Sequence, residues 1–314
     1  MSNTNNCNHD CENCENKCEE VEQGCNHDCE NCENQCEEVE QGCNHDCNNC
    51  SQHCGGAHSK EDFLKPQNQY SNVKNVIAIM SGKGGVGKSM VTSLLAANLN
   101  KEGYSVGILD ADITGPSIPK CFGIHEKVTG SQDAIFPRES KNGVRVISSN
   151  LLLDNETDPI IWRGPVIAGL VEQFWTEVAW GDVDFLFVDM PPGTGDVPLT
   201  VFQSLPVKGI VIVTSPQDLV SMIVEKAVKM AGKMDIPVLG IVENMSYFVC
   251  PNCDEKHYIF GESNVEEVAV GYGIDTVSKM PIDGKLPALC DQGLVEAYEE
   301  KVLTGIINKV KKLQ

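Results

Sequence analysis

The sequence predicts a doubly wound α/β fold with a mainly parallel sheet, preceded by a cysteine-rich repeat tail. Three observations indicate this. Short apolar, β-branched runs alternate with helix-period segments after residue 75, a glycine-rich loop joins the first run to the first helix, and cysteines cluster in repeats before residue 55. Parallel strands are buried on both faces, so they are continuously apolar rather than alternating in polarity.

Five apolar runs are predicted to be strands: NVIAIM (75–80), YSVGILD (104–110), VDFLFVD (183–189), KGIVIVT (208–214) and PVLGIVEN (237–244). Two segments between them, SMVTSLLAANLNKEG (89–103) and DLVSMIVEKAVKMAGKM (218–234), have the period of helices. Ligands of such sheets bind beyond the carboxyl ends of the strands, so the functional site is expected there.

Composition divides the chain into three segments. Residues 1–54 contain three copies of the spacing C-x3-C-x2-C-x3-C, which recur every 18 residues. Residues 55–75 are polar and turn-rich and are predicted to be a linker, and residues 76–314 are predicted to form the α/β domain. The tail has too few apolar residues to fold unless a metal orders it.

The chain is acidic, with a formal net charge of −21, of which residues 1–54 carry −12. Nucleic-acid binding needs clustered Lys and Arg, so no nucleic-acid partner is expected. The N-terminus lacks a signal-peptide pattern, and no apolar run approaches the ~18–20 residues of a membrane span. We therefore expect a cytoplasmic protein without membrane association. In that reducing compartment, clustered cysteines favour metal binding over disulfides.

The first predicted strand ends in SGKGGVGKS (81–89), which satisfies the phosphate-binding pattern G-x-x-x-x-G-K-[ST]. Its glycines let backbone N–H groups close on phosphates, and the following helix directs its positive N-terminus at them. Lys88 is expected to reach the β- and γ-phosphates and Ser89 to ligate Mg²⁺. The predicted nucleotide-binding residues of the loop are Gly82, Lys83, Gly84, Gly85, Val86, Gly87, Lys88 and Ser89. The domain is thus predicted to be a P-loop NTPase.

Acidic residues follow two of the predicted strands. Asp110 and Asp112 lie at the end of the second strand, where a carboxylate can orient an attacking water or hold hydrated Mg²⁺. Asp189 ends the strand VDFLFVD and is expected to hold Mg²⁺ through water. The following PPGTGD (191–196) suits a loop that senses the γ-phosphate. Any one of these acids could instead cap a helix or a turn, but their position beside the phosphate loop favours the catalytic interpretation.

Several motifs together resemble a known family. A second lysine, Lys83, gives GKGGVGK, which is similar to the deviant Walker A motif of the MinD/ParA/nitrogenase-iron-protein class of ATPases. Within that class, residues 70–314 resemble the Mrp/ApbC-type iron–sulfur cluster carrier ATPases. The motifs that carry this resemblance are ILDADITGPSIP (108–119), WRGP (162–165), VDMPPGTGD (188–196), TSPQ (214–217) and VENMSYFVCPNC (242–253).

The resemblance implies a homodimer in which Lys83 reaches across to the nucleotide of the other subunit. It also implies that Asp112 activates water with support from Asp110, and that Asn244 contacts adenine, so that the nucleotide is ATP. The implied cofactors are ATP, Mg²⁺ and a [4Fe–4S] cluster, and the implied partners are a second copy of the chain and apo iron–sulfur acceptor proteins.

The motif VCPNC contains a C-x2-C pair, Cys250 and Cys253, which fills half of a tetrahedral metal site. The residues leave three interpretations: a redox dithiol, a zinc site completed by His257 or by another chain, and a [4Fe–4S] cluster held by the pairs of two chains. The resemblance supports the third. The isolated Cys121 and Cys290 are expected to be buried structural thiols.

The tail cysteines are candidate metal ligands: Cys7, Cys11, Cys14, Cys18, Cys25, Cys29, Cys32, Cys36, Cys43, Cys47, Cys50 and Cys54. On a helix the four cysteines of one repeat would form a stripe about 16 Å long, too long to meet at one metal. A repeat that binds a cluster with all four is therefore non-helical, or neighbouring repeats share ligands. His9, His27 and His45 recur in the repeats, and their role is open, as is the alternative of a thiol-rich spacer.

The leading functional hypothesis is an ATPase that binds a [4Fe–4S] cluster between two subunits and transfers it to apo-proteins. The alternative is a MinD/ParA-like positioning ATPase, a membrane or partner switch, for which the amphipathic C-terminal segment YEEKVLTGIINKVKKLQ (298–314) would supply the contact. A reductase like the nitrogenase iron protein ranks third, because that class takes its cluster ligands from two separate loops.

Overall fold

A mainly parallel sheet forms the centre of the chain in the computed structural model, which describes residues 63–113, 115, 117–153, 164–216, 220–299 and 301–314. The strands of this sheet are β1 Ser71–Ser81, β2 Val106–Asp110, β5 Arg138–Glu139, β6 Arg145–Ser148, β7 Gly181–Asp189, β8 Val207–Thr214, β9 Val238–Val249, β10 Lys256–His257 and β11 Val277–Pro281. They run in the order β10-β9-β8-β1-β7-β2-β6-β5, and β11 pairs with β9. The pairings of β5 with β6 and of β10 with β9 are antiparallel, and the others are parallel. A separate hairpin joins β3 Thr129–Gly130 and β4 Ile135–Phe136.

Helices cover both faces of the sheet, as the predicted doubly wound fold requires. They are α1 Lys88–Lys101, α2 Ile118–Cys121, α3 Gly164–Thr176, α4 Asp196–Ser204, α5 Val220–Lys233, α6 Val265–Gly271, α7 Lys285–Asp291 and α8 Thr304–Lys311. Along β1, Ala78 and Met80 face the core under α3, α4, α5 and α6, while Ile77 and Ile79 face the core under α1, α2, α7 and α8. This burial on both faces explains why the strand sequences are continuously apolar.

The five predicted strands are present as β1, β2, β7, β8 and β9, so the α/β class is confirmed. The structure differs from the prediction at the start of the domain. The first strand begins at Ser71, within the stretch predicted as linker, and the Lys65 backbone N–H already donates to Ser204 O at 2.8 Å. The polar side chains at its start hid the strand, because Ser71 is partly exposed and Asn72 is exposed at the edge of the core.

Six short strands were not predicted: β3, β4, β5, β6, β10 and β11. Of these, β6 and β11 pair in parallel within the main sheet, and their sequences, RVIS and VSKMP, mix polar and apolar positions. The cysteines from Cys7 to Cys54, with His9, His27 and His45, lie outside the described residues. Across the ranges given above, no helix has both the length and the apolar character needed to cross a membrane.

Candidate functional site

The carboxyl ends of five parallel strands meet at one edge of the sheet. Asp110 of β2 lies in register with Asp189 of β7, and Asp189 with Ile79 of β1. On the other side of β1, Ser81 pairs with Val213 of β8. The predicted phosphate loop, the predicted acids and Asn244 of β9 therefore gather at this edge.

The phosphate loop connects β1 to α1 through two glycines in the left-handed region, Gly85 with φ 79° and Gly87 with φ 82°. Gly87 also packs so closely against Asn244 that a Cβ there would collide with the Asn244 amide nitrogen. That nitrogen, Nδ2, donates a hydrogen bond to Val86 O at 3.0 Å. The last turn of the loop is thus attached directly to β9.

Lys88, the first residue of α1, is 6% exposed and lies among carboxylates. Its Nζ is 2.9 Å from Asp189 Oδ2 and 3.5 Å from Asp112 Oδ2. These are ion-pair distances, yet Nζ forms no hydrogen bond of good geometry with the part of the chain that the structure describes. A buried ammonium with unused donors at the mouth of a glycine-rich loop fits the phosphate-binding role, since phosphate oxygens would accept those bonds.

Asp189 is fully buried and is held by two hydroxyls of α1. Ser89 Oγ donates to Oδ2 at 2.6 Å, and Thr92 Oγ1 donates to Oδ1 at 2.7 Å. A carboxylate beside a serine hydroxyl at the end of a strand is the oxygen donor set that Mg²⁺ prefers, so these residues fit the predicted metal role. Thr92 was missed from the sequence because it lies one turn beyond the motif.

Asp110 is 1% exposed. Ser148 Oγ donates to its Oδ2 at 3.0 Å, and the Asp112 backbone N–H donates to its Oδ1 at 3.2 Å. Burial raises the pKa of Asp110 well above its ordinary value, and the neighbouring Asp189 charge raises it further, while Lys88 and Ser148 oppose the rise. Asp110 is thus suited to supporting the site as a hydrogen-bonded residue. Asp112 is more exposed and lies nearer the open edge.

The loop after β7 is tied to the end of β1. The Gly193 backbone N–H donates to Ser81 O at 2.7 Å, and Gly193 has φ 93°. Pro192 approaches Gly84, where an added Cβ would lie 3.9 Å from its Cγ. The predicted γ-phosphate-sensing segment therefore lies against the phosphate loop.

Lys83 lies between Gly82 and Gly84 in the phosphate loop and is partly exposed. Its carbonyl oxygen accepts a hydrogen bond from Ser81 Oγ at 3.0 Å, and this bond holds the Lys83 backbone in place. This places Lys83 at the open edge of the sheet.

Glu243, which precedes Asn244 in β9, was not predicted from the sequence. It is fully buried, accepts a hydrogen bond from Ser246 Oγ at 2.5 Å, and lies in register with Thr214 of β8. Its Oε1 and Thr214 Oγ1 have no hydrogen-bond partner among the described residues. The sequence did contain a signal for Glu243, namely a charged residue inside the apolar run LGIVEN, because a charged residue is rarely buried unless it is paired.

The C-x2-C pair occupies the tip of a hairpin that extends β9. Here β10 pairs antiparallel with the end of β9, Cys250 N–H donates to Glu255 O at 2.9 Å, and Asp254 N–H donates to Cys250 O at 2.9 Å. Cys250 is partly exposed and Cys253 exposed. The strand that holds Asn244 at the phosphate loop therefore leads directly to the thiols, over at most about 20 Å at ~3.3 Å per residue.

The two thiols converge. The backbone N–H groups of Asn252 and Cys253 lower the pKa of the Cys250 thiol, and a hydrogen bond from the Cys253 thiol lowers it further. Strand β10, rather than a helix, follows the pair, which argues against a thioredoxin-like dithiol. Within the ranges that the structure describes, no group of three or more His, Cys, Asp or Glu residues could hold a metal ion, so His257 does not complete a zinc site within one chain.

Comparison with known proteins supports the resemblance noted in the sequence. The ParA family model described as NUBPL iron-transfer P-loop NTPase matches residues 72–313. An iron–sulfur cluster carrier protein of Clostridium perfringens is 48% identical over 237 residues, which are 73% of this chain and 83% of that protein.

Two solved structures show the same fold. A nucleotide-binding protein in complex with ADP from Archaeoglobus fulgidus has 46% identity and a TM-score of 0.69, over 78% of this chain and 96% of that one. MinD in the MinC:MinD cell division protein complex of Aquifex aeolicus, at 19% identity and a TM-score of 0.54 over 76% of this chain and 95% of that one, shares the fold alone. The chain belongs to the NUBPL iron-transfer family of P-loop NTPases.

Proposed function

We propose that this chain is an ATP-dependent carrier that binds a [4Fe–4S] cluster between two of its copies and transfers the cluster to apo-proteins. The observation that carries the proposal is the course of β9, which holds Asn244 against the phosphate loop and ends in the converging thiols of Cys250 and Cys253. The relatives named iron–sulfur cluster carrier proteins support this function.

The nucleotide end of β9 would take ATP with Mg²⁺. Lys88 would bind the phosphates, and Ser89 and Asp189 would hold the metal ion, which when bound neutralises charge on the phosphates. In this proposal Asp112 orients the attacking water, Asp110 fixes the Asp112 backbone through its hydrogen bond, and Lys83 contacts the nucleotide of the second subunit. Asn244, which lies within β9 beside the loop, would contact the adenine.

The cluster end of β9 supplies half of a site. Two thiolates leave two iron positions of a [4Fe–4S] cluster without a protein ligand, and a second copy of the hairpin would supply them by two-fold symmetry. A cluster held between exposed hairpins is released when the two copies separate. This suits a cargo that must pass to an acceptor, and nucleotide binding would set the dimer geometry through β9.

The decisive experiment is the double substitution Cys250→Ala and Cys253→Ala in protein loaded anaerobically with iron and sulfide. We expect loss of the iron that co-elutes with the dimer and loss of transfer to an apo-acceptor, with nucleotide binding retained. A matched control is Cys290→Ala, which removes one buried thiol away from the hairpin. Unchanged transfer by the double variant would refute the shared cluster.

The alternative, a positioning ATPase that binds a membrane through its C-terminal segment, finds less support. In α8 the apolar Ile306, Ile307 and Val310 are buried in the core, and the basic Lys309 and Lys311 are paired with acids on the protein surface. Liposome sedimentation with ATP distinguishes the two functions. Sedimentation that disappears when α8 is deleted would favour the switch.

A further inference from the structure

The carboxyl-terminal ends of the helices α2 and α7 lie against each other. Lys120 Nζ pairs with Asp291 Oδ1 at 2.7 Å. Each helix is followed by a left-handed glycine, Gly123 with φ 65° and Gly293 with φ 71°, and these glycines are in backbone contact. A Cβ on Gly293 would collide with Gly123 Cα, so this approach leaves no room for a side chain at Gly293.

Two thiols lie inside this junction. Cys121, the last residue of α2, is 8% exposed and Cys290 of α7 is 7% exposed, and the two thiols are hydrogen-bonded to each other. The sequence predicted isolated structural thiols, and that prediction was wrong about their isolation. The proposed function uses neither thiol.

We propose that Cys121 and Cys290 form a redox-active dithiol. A two-electron oxidant such as hydrogen peroxide closes it to a disulfide, and this disulfide slows ATP turnover at the nucleotide site. The geometry favours closure because the two thiols are hydrogen-bonded to each other and the flanking ion pair and glycine contact hold both backbones in place. The effect on turnover rests on the proposed ATPase function, whereas the disulfide itself does not.

The two thiols have different roles in the oxidation. The Cys121 thiol donates a hydrogen bond that lowers the pKa of Cys290, whereas the pKa of Cys121 is raised by the same bond and by burial. The Cys290 thiolate attacks the peroxide oxygen, forming a sulfenic acid and releasing hydroxide. The Cys121 sulfur then displaces the sulfenic oxygen as water. In sum, two thiols lose two electrons and two protons, and one peroxide becomes two waters.

The disulfide would act on the nucleotide site through α2. This short helix follows the segment that carries Asp110 and Asp112, and it packs on α1, which begins with Lys88. A disulfide would add a covalent restraint to the non-covalent contacts that hold α2 against α7, so α2 could no longer shift relative to α7 when nucleotide binds or is hydrolysed. Reduction removes this restraint.

Peptide mapping of the full chain tests the site directly. The reduced protein is treated anaerobically with hydrogen peroxide, its remaining thiols are blocked with N-ethylmaleimide in denaturant, and it is digested with trypsin. We expect a reducible cross-link between CFGIHEK (121–127) and LPALCDQGLVEAYEEK (286–301). Alkylation of Cys121 and Cys290 as free thiols, at a peroxide dose that oxidises Cys250 and Cys253, would overturn the proposal.

ATP turnover tests the consequence. We expect a severalfold fall in the oxidised wild-type chain, full recovery with dithiothreitol, and no reversible fall in Cys290→Ser, which keeps every other thiol. An equal fall in Cys290→Ser would assign the effect to other cysteines and overturn control by this pair. If the reduced protein has no ATPase activity, the proposed function fails while the cross-link still decides whether the dithiol exists.

Discussion

At the scale of single residues, the site is dominated by acids around one buried lysine, and two of them, Asp110 and Asp189, are themselves buried. Lys88 Nζ pairs with Asp112 and Asp189. Asp189 has in addition two hydroxyl donors, whereas Asp110 has one hydroxyl and one backbone N–H. Burial, and after it the neighbouring Asp189 charge, raise the pKa of Asp110, so its charged form is disfavoured. The protein therefore keeps a carboxyl group at a position where ionisation costs stability when nucleotide is absent.

Asp110→Asn should change how stability depends on pH. Because the pKa of Asp110 is raised above 3.8 in the folded state, the folded chain holds a proton that the unfolded chain releases, and stability falls as pH rises from 3.8 towards the folded-state pKa. In the variant this decrease is absent, so the slope of the free energy of unfolding against pH should differ from that of the wild type by up to about 1.4 kcal/mol per pH unit. Urea unfolding of nucleotide-free, metal-free protein at several pH values measures it.

Asp184→Asn is the matched control for that slope. The pKa of Asp184 is lowered, first by the hydrogen bond from Lys74 and then by the Ser105 backbone N–H, so its contribution to stability is lost only as pH falls below 3.8. Its curve should therefore be displaced from the wild-type curve without a change of slope well above 3.8. Parallel curves for Asp110→Asn and wild type would contradict the assignment.

The sequence predicted the acids of the site but not the residues that tune them. Asp110 and Asp189 end long apolar strands beside a recognisable loop, so their meeting follows from the parallel sheet alone. Ser148 ends β6, a strand too short and too mixed to predict, and its bond to Asp110 exists only because β2 and β6 pair in the folded sheet. Tertiary pairing of this kind leaves no local pattern.

At the scale of elements, β9 is the connection between the two proposed ends of the site. It was predicted to stop at Asn244 and in fact continues to Val249 past Met245, a residue with φ 56°. Polar residues after Asn244 obscured the continuation, which pairing with β11 and β10 stabilises. The link from phosphate loop to hairpin could not be predicted because it depends on those two partner strands.

A comparison of Gly87→Ala with Gly85→Ala distinguishes the stability cost of backbone strain from the cost of a clash with β9. Both glycines have positive φ, so each alanine should cost about 1–2 kcal/mol of stability. Only the Cβ at Gly87 meets Asn244, whereas no atom within the described chain lies within 4 Å of a Cβ at Gly85. We expect Gly87→Ala to destabilise the protein more, and the added substitution Asn244→Ala to recover part of the difference.

Urea unfolding of the single and double variants measures this coupling. The recovery should be absent when Asn244→Ala is combined with Gly85→Ala, since that position touches no side chain of β9. Equal destabilisation by the two alanines, with no recovery, would show that the phosphate loop is not braced by β9.

At the scale of the whole molecule, the 16 cysteines form three sets: the twelve of the tail, the hairpin pair Cys250 and Cys253, and the buried pair Cys121 and Cys290. The tail carries −12 of the −21 net charge and lies before the region matched by the family model. The described domain has its own two-sided core, and its nucleotide and hairpin residues all lie after residue 70. The tail is therefore an addition to the carrier domain. We propose that the tail binds metal or an iron–sulfur cluster.

Deleting residues 1–54 should lower the iron and sulfide bound per chain while leaving nucleotide affinity and the urea midpoint of the domain unchanged. The physical reason is that the tail thiolates are proposed as additional ligands, whereas the core of the described domain is formed by residues from Val73 onwards. Iron and sulfide quantitation on the intact chain, the deletion, the variant Cys250→Ala with Cys253→Ala, and the combination of both changes measures it. Each change should remove its own share of iron, and the combination should remove nearly all of it. Iron that is unchanged by the deletion would identify the tail as a thiol-rich spacer.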